Sequence, residues 1–201
     1  MYRYGGIIYY EFRRNKEFVS KMFDCSWVKW LHEGTKPANN NFERTLNAVV
    51  GTILPIHCAR CLNLNGCCFV KTKAPAIPLH EKCHCKLINI SLITPKITCP
   101  IEKFTKYIFD RSKSKGKKEL FESWGYSIID SENLAREFTR QAKLKYQCGE
   151  YSLGNLDAYG QRISMIITLP KKNGTGEVSF VSGWMVYPNG EIVLTTPYGG
   201  K

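Results

Sequence analysis

QRISMIITLPKKNGTGEVSFVSGWMVYPNGEIVLTT, residues 161–196, decides the fold class. Gln161 to Leu169 is rich in β-branched and large apolar residues and reads as a strand. Lys171-Lys-Asn-Gly-Thr-Gly follows, and Asn173-Gly174 reaches positive φ cheaply enough to close a hairpin. Glu177 to Tyr187 alternates, with Val178, Phe180, Trp184 and Val186 facing one way. Pro188-Asn189-Gly190 is a second tight turn, and Glu191 to Thr196 a third strand. Strands joined by turns this short pair antiparallel, so the C-terminus reads as a β-meander.

Helices precede the meander. Asp130-Ser131 is expected to cap an amphipathic helix from Glu132 to Tyr146, with Leu134, Phe138, Gln141, Ala142 and Lys145 along one side. Its acidic first turn and basic last turn suit the helix dipole. Glu119 to Trp124 is a shorter helix stopped by Gly125, and Glu102 to Asp110 another, with Phe104, Tyr107 and Ile108 on one face. Between these two lies the densest basic stretch, Arg111, Lys113, Lys115, Lys117 and Lys118, with no acid among them. Helices followed by an antiparallel meander give an α+β class. Breakers at Thr94-Pro95 and Cys99-Pro100 put a boundary there, dividing the chain into an N-terminal mixed part (1–97) and a C-terminal α+β domain (98–201).

The N-terminal part is less regular. Tyr2 to Tyr10 reads as a strand and Glu11 to Leu31 as a helix, with Trp27 and Trp30 on one core-facing side. His32-Glu33-Gly34 ends that helix. Phe42 to Val50 is a short mixed segment. Lys86 to Ile93 reads as a strand.

Between these segments sit Cys58-x-x-Cys61 and His80-x-x-Cys83-His84-Cys85. Two close pairs of soft ligands separated by a Gly, Pro and Lys-rich loop suit tetrahedral zinc. The expected ligands are Cys58, Cys61, Cys83 and Cys85, with His80 as the substitute, and the zinc would be structural. Two other readings stay open: reduced cysteines packing as small apolar residues, and disulfides. No Glu stands in a general-base arrangement such as HExxH, which argues against catalytic zinc.

Composition narrows the classes. Of 201 residues 43% are hydrophobic and 12% aromatic, enough to fill a core. No apolar run approaches the roughly 18 residues of a membrane span. The opening residues mix charge into their apolar run and lack a small-residue cleavage site, so they do not read as a signal peptide. Nine cysteines with no such leader point to a reducing, cytoplasmic setting. A net charge of +12 attracts RNA, DNA or another polyanion.

Two stretches also resemble known families. Cys58-x-x-Cys61, Leu64-Asn65-Gly66, Phe69 and Pro78-Leu79-His80-x-x-Cys83-His84-Cys85 resemble the C-terminal end of phage Mu F-like minor head proteins. Glu81 and His84 stand where that family has Pro and Arg. Phe104-x-x-Tyr107-Ile108-Phe109, Gly116-Lys117, Phe121-x-x-x-Gly125-Tyr126, Gly160-x-Arg162, Ser182-Gly183-Trp184-x-x-x-Pro188-x-Gly190 and Leu194-Thr195-Thr196-x-Tyr198 resemble a domain of unknown function from polymorphic and phage-borne toxins. That domain looks like the barnase, EndoU, colicin and RelE-type ribonuclease fold, helices followed by a four-stranded antiparallel sheet.

The resemblance implies a carrier remnant joined to toxin cargo, delivered by phage and paired with an immunity protein. The implied reaction is metal-independent RNA transesterification, which needs a base, an acid and a cation for the phosphorane. No His follows His84, so the work falls to other groups. Lys117 and Arg162 are the candidates for phosphate and transition-state charge, with Thr196 and Tyr198 near the sheet end. Lys113, Lys115 and Lys118 would steer RNA, and Trp184 would stack a base, although its alternation favours the core by at least about two to one. The competing readings are a non-enzymatic phage structural or adaptor protein and a nucleic-acid-binding protein built on the Cys box.

Overall fold

The computed structural model describes residues 27–32, 59–79, 83, 85–90, 95–188 and 190–200. In chain order these form β1 (Trp27–His32), α1 (Ala59–Leu64), β2 (Cys68–Val70), β3 (Cys85–Ile90), β4 (Lys96–Thr98), α2 (Lys117–Ser123), α3 (Ser131–Gln147), β5 (Ser152–Leu156), β6 (Gln161–Pro170), β7 (Glu177–Val186) and β8 (Glu191–Thr196). The class is α+β. β2-β1-β3 make an antiparallel sheet, and β4-β8-β7-β6-β5 a larger one.

The meander has the expected alternation. Ile163 pairs with Trp184, Met165 with Ser182 and Ile167 with Phe180, and all six are buried on one face of the larger sheet. In the larger sheet two strands escaped the sequence reading. β4 runs parallel to β8, with Ile97 opposite Ile192, in a segment read only as breakers. β5 is an edge strand whose residues are mostly exposed, so it lacks the alternating apolar signal. The sheet is therefore five-stranded and mixed.

α3 covers the buried face. Leu134, Phe138, Ala142 and Tyr146 recur every fourth residue and are buried. Gln141, on the same side, completes the sheet. β5 pairs with β6 only as far as Ser152 opposite Ser164, so among the described residues the β6 backbone beyond has no strand on that side. There the Gln141 amide donates to Thr168 O at 2.6 Å and accepts from Thr168 N–H at 3.0 Å, as a strand would.

Two local readings are corrected. Trp27 to His32 is a strand, not the end of a helix. Trp27, Val28 and Trp30 are all buried, so β1 is covered on both faces, and a fully buried strand carries no period that distinguishes it from a helix. Asp130 precedes α3 but its carboxylate does not cap it. One oxygen accepts from Ser127 N–H at 2.9 Å and the other from Lys172 at 2.7 Å. The expected elements at Tyr2–Tyr10 and Phe42–Val50, and most of the one at Glu11–Leu31, lie outside the described residues.

The sheets are tied together by the C-terminal end of α3 with the residues just after it, and by the β5–β6 turn. Tyr146 Oη donates to Cys68 O, and Val70 N–H donates to Tyr151 Oη at 3.2 Å. Asn63 Nδ2 donates to Asp157 O at 2.8 Å. Among the described residues no helix is long and apolar enough to cross a membrane.

Candidate functional site

α1 and β3 bring three cysteines together. Cys61 lies in α1, Cys85 opens β3, and Cys83 is in the loop just before it. Their sulfurs all lie within 4.8 Å of one another, a group that can hold a metal ion. Cys61 and Cys83 are 3.8 Å apart, too far for a disulfide. The same distance matches the edge of a zinc–thiolate tetrahedron, about 3.8 Å for Zn–S bonds of about 2.3 Å. The donor set therefore fits zinc. Cys58 and His80, the other expected ligands, lie outside the described residues.

Burial raises the Cys83 thiol, but backbone groups of Leu79 and Cys85 and the neighbouring thiols outweigh it and bring it down to about 7. Burial pushes Cys85 up, against the opposing pull of Cys61 and the Trp30 indole. A bound cation reverses such desolvation by favouring the thiolate. The remaining described cysteines differ. Cys67 is buried and raised by desolvation, with Tyr187 O as acceptor at 3.4 Å, and Cys99 is pushed up to about 12 by burial. These two pack as small apolar residues.

The larger sheet offers a second candidate surface, because α3 occupies only one of its faces. On the other face Ser152, Ser164, Gly183 and Thr196 stand in one row across four strands. A Cβ on Gly183 would sit 3.3 Å from Thr195 Oγ1 and 3.4 Å from Thr196 Cβ, so the missing side chain makes room for both threonines. Arg162, two residues along β6 from Ser164, is on the same face and is half exposed. Its Nε donates to Asp157 at 2.8 Å. Burial raises Asp157, but N–H groups of Tyr159 and Gly160 and the Arg162 guanidinium hold it below the ordinary carboxylate range. Asp157 escaped the sequence reading, though Asp157-Ala-Tyr-Gly160 is an Asx-turn signature that would have found it.

The four expected catalytic residues divide between two sides. Arg162 and Thr196 belong to the open face. Tyr198 lies on the helix side, its ring 5.4 Å from Phe180 and 6.2 Å from Trp124. Lys117 opens α2, its ammonium 4.9 Å from the centre of the Tyr107 ring. α2 is seven residues long, so its ends are about 10 Å apart, with Lys117 at one and Trp124 beyond the other. Lys113 reaches Asp110 at 3.7 Å and Lys118 reaches Glu122 at 3.8 Å, while Lys115 is exposed at φ 49°. Trp184 is a correction. It is fully buried and donates to Ser182 Oγ at 2.8 Å, which leaves no ring face for a base.

Comparisons with protein-family models, with curated proteins and with solved structures found no match to this chain.

Proposed function

We propose that this chain is an RNA-binding and RNA-cleaving module of the toxin type, joined to a phage head-protein-like remnant that is stapled by structural zinc. The observation that carries this reading is the larger sheet, buried by α3 on one face and presenting Arg162 beside a row of Ser164, Gly183 and Thr196 on the other. A trough floored by glycine and small hydroxyls admits a nucleic-acid backbone, and a guanidinium at its side binds phosphate in two-pronged fashion. The chain's charge of +12 supplies the long-range attraction. Asp157 orients Arg162 toward the trough, Thr196 hydrogen-bonds the phosphate, and Lys113, Lys115, Lys117 and Lys118 form a separate basic approach. Zinc is bound by Cys61, Cys83 and Cys85, with Cys58 or His80 as the fourth ligand. An acidic immunity protein would cover the same face.

A second reading, a non-enzymatic adaptor that binds nucleic acid, is favoured by the division of Arg162 and Thr196 from Lys117 and Tyr198. One experiment separates the two. The full chain is expressed in a bacterial host, growth is followed and total RNA is run on a gel. Growth arrest with discrete fragments, relieved by Arg162→Ala, is the expected result. Healthy growth and intact RNA, from a soluble protein that still binds RNA in a shift assay, would establish the adaptor instead.

A further inference from the structure

We propose that the indole N–H of Trp30 is the outer donor to the Cys85 thiolate of the metal centre, a positioning residue that links metal occupancy to the core of the small sheet. The inference rests on the zinc reading and adds to it a named residue from a different strand. Trp30 is fully buried, and its Nε1 makes no well-formed hydrogen bond among the described residues, although its indole lies close enough to Cys85 to pull on that thiol. A buried donor without an acceptor is costly, so its surroundings bear inspection.

The register supplies them. In the antiparallel β1–β3 pair Trp30 stands opposite Leu87, and His32 stands opposite Cys85. Residues two apart in a strand share a face, so Trp30 and Cys85 are diagonal neighbours on one face of the small sheet, within reach of a long side chain. α1, which carries Cys61, packs on β1. The β1 backbone is fixed beside it, since Gly66 N–H donates to Trp30 O and Trp30 N–H to Cys67 O, both at 2.9 Å.

Thiol chemistry explains the orphan. A neutral thiol is a weak acceptor, whereas a metal-bound thiolate carries charge and accepts an N–H well. Loading the metal thus turns Cys85 into the acceptor that Trp30 lacks. In return, the N–H holds the Cys85 sulfur in place and spreads its charge, as outer donors do at metal sites generally. Trp27 is the internal contrast. Its Nε1 is also buried without a partner, but it lies three residues away in β1 and so faces the opposite side, where its ring meets Tyr146 at 5.7 Å.

The test uses the full chain. Zinc content of the purified protein is measured by mass spectrometry, and zinc affinity by competition with a chromophoric chelator, for the wild type, Trp30→Phe and Trp27→Phe. Trp30→Phe is expected to weaken zinc binding by about 10- to 100-fold, and Trp27→Phe to leave it unchanged. In ¹⁵N-labelled wild type, cadmium loading is expected to move the Trp30 indole proton downfield and leave that of Trp27 in place. Equal affinity for the wild type and Trp30→Phe would overturn the inference while the zinc reading stands, as would equal weakening by both variants. If Trp30→Phe does not fold, an indole proton indifferent to cadmium overturns it. A protein that neither contains nor takes up zinc or cadmium overturns both readings.

Discussion

At φ +88° Gly66 occupies backbone space that L side chains enter at a cost, and a Cβ there would sit 2.5 Å from Pro188 O. One glycine thus sets how closely the Cys-bearing segment approaches the β7–β8 turn. Gly66→Ala is expected to cost about 1–3 kcal/mol from backbone strain alone, with the collision added to it. Urea unfolding followed by tryptophan fluorescence measures this, and an unchanged midpoint would show that the two segments separate freely. Asp130 is a second residue-scale case. The ammonium of Lys172, then the Ser127 N–H, hold its carboxyl below the ordinary range. A depressed carboxyl contributes stability above its unfolded value of about 3.9 and loses it as pH falls through the lower folded value. Lys172→Met should therefore destabilise by up to about 1 kcal/mol at neutral pH, since the lysine is half exposed, and the difference should vanish in stronger acid. Thermal melts from pH 7 down to about pH 2 would follow it across that range.

Among the elements, α3 was legible because its apolar positions recur at helical spacing, and β6 to β8 because alternation and Asn-Gly turns act over a few residues. The helix has a second function that its sequence hid. Gln141 sits on the buried side, where a helical wheel reads it as an interruption, yet it completes the β6 edge that β5 leaves open. Gln141→Leu keeps the volume and removes both hydrogen bonds to Thr168, along with the one to Glu137 Oε1. It is expected to cost about 1–3 kcal/mol by leaving the Thr168 N–H and C=O unpaired. Hydrogen exchange at Thr168 should rise by a larger factor than at its neighbours in the β6–β7 ladder. Uniform protection along β6 would mean that water replaces the amide at no cost.

Over the whole molecule, charge and topology together bear on nucleic acid. If the open face of the larger sheet grips single-stranded RNA, the logarithm of the binding constant falls linearly with the logarithm of salt, by about 0.7 per phosphate contact. Arg162→Ala should reduce that slope by about 0.7, while Lys115→Ala weakens binding only if RNA also follows the basic approach beside α2. A slope unaffected by Arg162→Ala would remove the open face from the RNA path. The sequence by itself determined the α+β class, the meander, α3 and the two-part spacing of the cysteines. Each of these depends on residues near one another in the chain, where period, turn chemistry and chelate spacing act directly. Tertiary structure alone decided that β1 is a buried strand, that β4 joins the far edge of the larger sheet, and that Trp184 belongs to the core. It also decided that Cys61 and Cys83, 22 residues apart, meet beside the strand that carries Trp30, and that Arg162 and Thr196 share a face from which Tyr198 turns away. Those outcomes depend on which distant strands pair and which face a helix covers, and no local period encodes either.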